Sequence, residues 1–557
     1  MTWPFLLRRS VPVVVLATAL ITAAPATAAT PLAGTTAAAP PRSALSAQIG
    51  AGSLPAEAAF PGTAASPARA GCAKAGAGDF DGDGRDDVIV GDPLADVGGV
   101  RGAGAVHVLP IGGDGRRGGL VITAPTPRAG AAFGWSVRTT HLDGDGCLDV
   151  IVGAPYADAG GRAGAGAVYV IRGGDYPDGR VPAAAISELS APRPERDAHF
   201  GWSLAAARSA ERPAGVIAAG APYEDADRTG DSGAVYLFRG RPEGGTEPAT
   251  RITQESPGIV GNGEQGDLYG WSLVFARFGG RADALDLVVG TPYENDDGAG
   301  RQAGSTGRAD TGAVEIIVDA AEAGRSYESV KWGIPNSVRG VAEHAGDRYG
   351  YSLAYAEADG KPYLAAGAPL ADVGGVPDAG LVQVFTRGAD GGPVPVRTIR
   401  PGKEGLADRP PRAGAALGWS LAMVGTGTAL RLAIGAASGE RGDAIVQVPL
   451  TGGPADGTSA GGASSSGTGT GGAAGAPGSG SRMGDRYGWA LAAFGAAGSF
   501  GPGVGLLAGI PDRRDAPGGA VAVLRDGAPP RLLVPGRDGV PAVPGGASAD
   551  FGAAVSG

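Results

Sequence analysis

The sequence predicts an all-β fold, a seven-bladed β-propeller built from four-stranded blades. Three observations carry that prediction. A two-part motif recurs seven times at a near-constant interval. The stretches between copies are short, rich in β-branched or small residues, and bounded by Gly, Pro, Asp or Asn. The two ends of the chain hold complementary fragments of one unit.

The first half of the motif is an aromatic residue, Gly, a second aromatic and Ser. It stands as Phe133-Gly134-Trp135-Ser136, Phe200-Gly201-Trp202-Ser203, Tyr269-Gly270-Trp271-Ser272 and Tyr349-Gly350-Tyr351-Ser352. Leu417-Gly418-Trp419-Ser420, Tyr487-Gly488-Trp489-Ala490 and a reduced Phe551-Gly552 complete the series. The second half, Gly-Ala-Pro or a variant, begins at Gly91, Gly153, Gly220, Gly290, Gly367, Gly435 and Gly509. Its copies are 62 residues apart between Gly91 and Gly153 and 77 apart between Gly290 and Gly367. Units of this length are repeats of one supersecondary structure.

The third unit reads as strands Gly201 to Ala206, Gly215 to Ala219, Ala234 to Arg239 and Thr250 to Glu255. Four such strands per unit form a blade, and a ring of blades leaves only short, protected edges. Small residues suit the inner strands, which converge on the axis, while the aromatics wedge between blades. The N-terminal unit has strands near Val88, Ala105 and Gly119 but no aromatic-Gly strand, whereas Phe551 to Val555 is such a strand and nothing more. That C-terminal segment is expected to supply the inner strand of blade 1 and close the ring, with residues near Ala73 to Ala77 as the competing occupant. The Gly/Ser/Ala/Thr tract at 451–481 reads as a disordered insertion that includes whatever remains of the outer strand of blade 6.

Composition narrows the function classes. Of 557 residues, 103 are Gly and 44 Pro, which alone would suggest disorder, but 43% hydrophobic content supplies a core. A net charge of −10 disfavours nucleic acid, whose phosphates need a basic face. Four histidines leave little room for histidine catalysis or a His-rich metal site. Residues 1–28 read as a secretory signal, with Arg8 and Arg9 before an apolar stretch from Val11 to Ile21 and cleavage after Ala26-Thr27-Ala28. Residues 29–70 form an Ala/Pro-rich leader, and 71–557 the propeller. Neither the signal nor any later segment offers a convincing transmembrane span. A secreted, monomeric protein is expected, and in that setting the two cysteines, Cys72 and Cys147, favour one disulfide over two buried thiols.

Aromatic-Gly followed by Gly-Ala-Pro resembles the FG-GAP repeat of the integrin α-subunit N-terminal β-propeller. It is similar also to the propeller part of glycosylphosphatidylinositol-specific phospholipase D and to secreted bacterial FG-GAP proteins. The resemblance runs from about Cys72 to Gly557. It implies an extracellular binding or adhesion propeller with calcium in the loops joining strands 1 and 2 of a blade. Only a signal and a leader precede the propeller where the phospholipase carries its catalytic portion, and integrin leg domains, membrane helix and inserted domain have no counterpart, so a heterodimeric integrin is not implied.

The residues themselves point to the same metal. Asp79, Asp81, Asp83 and Asp87 stand at positions 1, 3, 5 and 9 of a loop with Gly84 at position 6, and Arg85 at position 7 offers its carbonyl. An all-oxygen set of this spacing suits Ca²⁺, whereas zinc would ask for Cys or His. Position 12 is Val90, in a strand, so the loop is not an EF-hand. In blade 2 the same loop keeps Asp143, Asp145 and Asp149, with Cys147 at position 7, but His141 replaces the first carboxylate and is expected to weaken binding. The Cys147 side chain is then free to meet Cys72. Blade 4 keeps only Asp283 and Asp286.

The opposite face repeats an acidic-aromatic theme: Tyr156 and Asp158, Tyr223 and Asp225, Tyr293 and Asn295, with Asp96 and Asp372 in equivalent places and Asp267, Asp347 and Asp485 before aromatic-Gly. This is the expected binding face for an extracellular protein or glycan, although Asp and Asn also cap turns. The alternative function is an extracellular hydrolase acting on a glycan or phosphodiester through paired carboxylates. Acidic positions that repeat with the blades argue for turn structure instead. Arg441-Gly442-Asp443 spells an adhesion tripeptide but falls where other blades begin their third strand.

Overall fold

The computed structural model describes residues 72, 78–111, 118–143, 145–176, 178–209, 212–241, 245–281, 284–295, 308–322, 326–334, 344–389, 392–403, 406–426, 428–437, 444–451, 486–495 and 503–557. The signal at 1–28, the leader at 29–70, all but Thr451 of the 451–481 tract, the Arg441-Gly442-Asp443 tripeptide, Asp283, Asp485 and Ala73 to Ala77 lie outside these residues.

Seven antiparallel sheets make seven blades. Their inner strands are Ala554–Ser556, Ser136–Thr140, Leu204–Ala207, Ser272–Ala276, Ser352–Ala358, Leu417–Thr426 and Leu491–Phe494, in blade order. Six blades have four strands, and blade 6 has three among the described residues. Helical structure there is confined to short turns such as Ala183–Ala185.

Closure follows the expected route. The inner strand of blade 1 comes from the C-terminus, with Ile89 opposite Ser556, Val90 opposite Val555 and Gly91 opposite Ala554. In blade 3 the inner strand begins at Leu204 rather than Gly201, because Gly201 has φ of 89° and turns the chain before pairing starts. Strand 2 of that blade runs Val216–Ala221. Its outer strand stops at Ile252, since Thr253 Oγ1 turns aside to donate to Asp227 Oδ2 at 2.7 Å.

The core lies between blades. Each of seven apolar clusters joins residues of adjoining blades, the seventh combining Leu507 and Val521 of blade 7 with Val88, Val90 and Val555 of blade 1. The first aromatic of the motif anchors these layers: Phe133, Phe200, Tyr349 and Phe551 are fully buried.

The two motif glycines are one contact seen from two blades. A Cβ at Gly91 would lie 2.1 Å from the carbonyl oxygen of Gly134 in the next blade. The same clash joins Gly153 to Gly201, Gly220 to Gly270, Gly290 to Gly350, Gly367 to Gly418, Gly435 to Gly488 and Gly509 to Gly552. Only a residue without a side chain admits so close a backbone approach. The motif serine adds a bond across the same seam. Ser136, Ser203, Ser272, Ser352 and Ser420 each donate to the aromatic-Gly carbonyl of the following blade, at 2.5 to 2.8 Å.

Cys72 and Cys147 form a disulfide across 75 residues of sequence. It ties the chain ahead of blade 1 to the loop of blade 2.

Candidate functional site: an acidic loop and an aromatic face

The second strand of a blade runs from the strand 1–2 loop to the strand 2–3 turn, so the acidic loops of blades 1 and 2 and the tyrosine turns of blades 2, 3 and 4 lie on opposite faces.

The loop of blade 1 is wound around its own carboxylates. Asp79 accepts the N–H groups of Gly82 at 2.8 Å and Gly84 at 2.7 Å, Asp81 that of Asp83 at 3.2 Å, and Asp83 that of Arg85 at 3.0 Å. The carboxylate oxygens of Asp79, Asp81 and Asp83 lie within 4.8 Å of one another. Asp79, Asp81 and Asp87 are buried. Burial raises the Asp79 carboxyl above its ordinary range against the opposing backbone bonds. Burial, with added repulsion from Asp81, Asp79 and Asp83, pushes Asp87 up to about 8 despite its bond from Phe80 N–H.

Position 9 has a second role that sequence spacing does not reveal. Asp87 accepts Phe80 N–H at 2.9 Å, Asp149 accepts Leu142 at 2.6 Å and Gly173 at 3.0 Å, and Asp286 accepts Phe278, Gly279 and Asp319. In three blades this aspartate holds the loop to the sheet whether or not the rest of the acidic series is present.

The blade 2 loop differs in its donors. His141 Nδ1 lies 2.8 Å from the Cys147 carbonyl, which only accepts, so that nitrogen carries the proton. The position-7 oxygen expected to face a cation is thereby engaged. Asp145 Oδ1 accepts Cys147 N–H at 2.9 Å, and its Oδ2 sits 3.6 Å from Cys72 Sγ. That last pair is a contact only, since a bonded sulfur has no proton to donate. Asp143 accepts Asp145 N–H at 3.2 Å.

On the opposite face the second aromatics of the motif form a belt. Successive ring centroids are 4.9 Å apart from Trp135 to Trp202, 5.0 Å to Trp271, 5.4 Å to Tyr351, 4.7 Å to Trp419 and 4.8 Å to Trp489. All six are half-buried, and the seventh place is Ala553, where the belt is open. From sequence these aromatics are expected to wedge between blades. The first aromatic of each motif does that; the second stands before the inner strand begins and is carried to the mouth of the ring. Its position after the positive-φ glycine was the available signal.

The predicted tyrosines join this belt. Tyr156 packs on Trp135 and His199, Tyr223 on His199 and Trp202, and Tyr293 on Trp271 with the Arg348 guanidinium 3.7 Å from its ring centroid. Burial pushes the Tyr156 hydroxyl up to about 12 and raises Tyr223 and Tyr351 as well. The residue before aromatic-Gly, at φ of 55° for His199, 61° for Arg348 and 50° for Arg486, delivers the polar members of the face.

The acidic half of the theme is turn structure. Asp96 accepts Gly102 N–H, Asp158 that of Gly164, Asp225 that of Asp231 and Asp372 that of Asp378, each six residues on, at 2.9 to 3.1 Å. Asp267 and Asp347 are buried and accept the N–H groups of Glu264 and His344.

The FG-GAP repeat profile matches residues 73–109 and 133–171. The chain carries FG-GAP repeats. This FG-GAP propeller is homologous to the human phosphatidylinositol-glycan-specific phospholipase D, 29% identical over 251 residues, which are 43% of this chain and 26% of that protein. It is 30% identical over 190 residues to integrin alpha-PS2 of Drosophila melanogaster, covering 33% of this chain and 12% of that one. Integrin alpha-5 of Xenopus laevis is 32% identical over 167 residues, 28% of this chain and 14% of its own. The aligned part thus spans about a quarter of the phospholipase and less of the integrins. Among solved structures, the periplasmic gluconolactonase of Pseudomonas aeruginosa aligns at a TM-score of 0.39 and 13% identity over 84% of this chain and 98% of that one, too loosely to bear on function. No helix among the described residues is long and apolar enough to cross a membrane.

Proposed function

We propose that this FG-GAP propeller is a secreted binding module that presents its aromatic face to an extracellular protein or glycan and is stapled on the other face by Ca²⁺. The observation that carries the reading is the belt of six half-buried aromatics. Neighbouring rings hold each one in place, so a partner docking there immobilises little that is not already fixed. Rigid Trp and Tyr side chains at a solvent boundary are the residues that dominate recognition energetics. The disulfide supports an oxidising compartment outside the cytoplasm.

The blade 1 loop suits Ca²⁺ through an observation of its own: three carboxylates gathered within 4.8 Å, two of them buried, repel one another unless a cation or protons intervene. Asp79, Asp81 and Asp83, with the Arg85 carbonyl and Asp87, would hold the ion, which would supply charge neutralisation and nothing catalytic. Asp143, Asp145, Asp149 and the Cys147 carbonyl form a weaker counterpart, because His141 removes a charge and engages that carbonyl.

The binding reading is favoured over a hydrolase because the carboxyl groups raised furthest serve backbone N–H groups inside the fold. Asp87, Asp149 and Asp267 are buried, each accepting at least one such bond. The test is a screen of the mature chain on a glycan array and in pull-down from extracellular material, comparing wild type with Trp202→Ala plus Trp271→Ala. Retention of every partner by that variant would reject the aromatic face as the site.

A further inference from the structure

Arg138 is out of place. It lies on the inner strand Ser136–Thr140 of blade 2, two residues beyond Ser136 and on the same side of the sheet. The equivalent places in the other inner strands are Ala205, Val274, Ala354, Ala422, Ala492 and Ser556. One guanidinium therefore stands in a layer otherwise made of small or apolar side chains. Val137, its neighbour, is fully buried between blades 1 and 2, and Thr139 donates to Gly557 O of blade 1 at 3.3 Å. Both leave Arg138 on the blade 3 side of the strand.

Its surroundings are wet but enclosed. Arg138 is exposed to solvent although its strand belongs to the innermost ring, packed against the inner strands of blades 1 and 3, so its exposed side faces the axis of the ring. No carboxylate acts on the guanidinium. Among the described residues its one hydrogen bond is from Nη1 to its neighbour Val137 O, at 2.8 Å. A guanidinium has five N–H donors, so most of the fork is unspent. A cation kept without an anionic partner in a protein of net charge −10 is not explained by solubility or by pairing.

We propose that Arg138 is the anion-binding group of the central channel, receiving the carboxylate or phosphate of a ligand that enters through the aromatic mouth. Three residues of extended chain place it about 10 Å below Trp135. The ligand is thus slender, acidic at its tip, and flanked by aromatic faces at its body. A planar oxyanion matches the guanidinium fork in two parallel bonds. This inference rests on the aromatic face being a binding mouth and adds the charge its ligand carries.

The test is titration of the intact mature chain, at constant ionic strength, with inorganic phosphate, with glutarate and with neutral glutaramide, read by tryptophan fluorescence. Saturable binding of phosphate or glutarate is expected, at least tenfold tighter than glutaramide, and the two anions separate phosphate from carboxylate recognition. Arg138→Gln should weaken that binding at least tenfold while the melting temperature stays within a few degrees, and Arg138→Lys should recover part of it. Absence of saturable anion binding in wild type, or equal affinity for glutarate and glutaramide, overturns the proposal without any variant. Unchanged affinity in Arg138→Gln also overturns it. If anion binding fails while Trp202→Ala plus Trp271→Ala still loses its array partners, the channel site falls and the aromatic face stands.

Discussion

Ala549 N–H donates to Asp92 Oδ1 at 3.1 Å across 457 residues of sequence, and Asp550 N–H donates to the same oxygen at 3.0 Å. Asp92 occupies the place of Ala in Gly-Ala-Pro, and its fully buried carboxylate grips the backbone just ahead of the closing strand. The other oxygen lies 3.8 Å from His107 Nε2, whose ring meets Phe551 edge-on at 4.9 Å. Blade 1 is thus the one blade whose inner strand must be captured from the far end of the chain, and it carries a carboxylate, Asp92, where blades 2, 3, 5 and 6 carry Ala.

Closure should be the stability bottleneck. Phe551→Ala removes a fully buried ring from the blade 7–blade 1 layer and should cost about 3–5 kcal/mol. Asp92→Ala strands two backbone donors and should cost about 1–3 kcal/mol. Urea denaturation followed by tryptophan fluorescence measures both. A Phe551→Ala loss below that of an exposed control such as Val396→Ala would contradict the closure.

The seam should also set a pH dependence. Burial, then repulsion from Asp512 and Asp92, raises Asp550 to about 7 while Arg486 opposes the shift. A carboxyl whose folded pKa is raised contributes stability that is full below its unfolded value near 4 and lost as pH rises through about 7. Asp550→Asn should therefore flatten the stability profile between pH 4 and 7, where wild type loses of the order of 1 kcal/mol per pH unit from this group. Parallel profiles for the two proteins would show that Asp550 does not titrate as described.

Glycine contacts between blades should tolerate nothing larger. Gly220→Ala places a Cβ 2.2 Å from Gly270 O, a backbone atom held by its own sheet, and should abolish cooperative folding or cost more than about 3 kcal/mol. Ser203→Ala, which removes only the hydroxyl bond to Gly270 O at 2.5 Å, should cost about 1 kcal/mol. Blade 7 already lives with Ala490 at that place. Circular dichroism melts of both variants decide whether glycine or serine dominates the seam.

Breaking the disulfide should cost about 2–4 kcal/mol, because it closes a loop of 75 residues in the unfolded chain. Cys72→Ser with Cys147→Ser, melted beside reduced wild type, measures it. Equal melting temperatures with and without reductant would show that the bridge contributes nothing.

The repeat, the blade count and the identity of the closing strand were all legible in the sequence, because periodic motifs and mismatched ends are local patterns. What pairs with what across blades was not. Gly91 and Gly134 are each recognisable as conserved in kind along the chain, yet the reason neither can bear a side chain is their contact with each other in adjacent blades. The belt was hidden for a related cause: Trp135 and Phe133 look alike in composition, but two residues and one positive-φ glycine send the second to the core and the first to the channel mouth. The acidic turns were readable as either caps or binders, and the hydrogen bonds of Asp158, Asp225 and Asp372 give each a capping role. Arg138 gave no local signal, since its meaning lies in the six small or apolar residues at equivalent places in other blades.

The proposed Ca²⁺ staple and the proposed aromatic binding face make separable predictions, and one comparison addresses both. Purified mature chain should gain several degrees of melting temperature on adding millimolar Ca²⁺ after chelation, and Asp79→Asn should abolish that gain. On a glycan and extracellular-protein array, Asp79→Asn with its fold intact should keep the partners of wild type, whereas Trp202→Ala plus Trp271→Ala should lose them. Partners that follow Asp79 and ignore the tryptophans would place recognition on the opposite face and contradict the account.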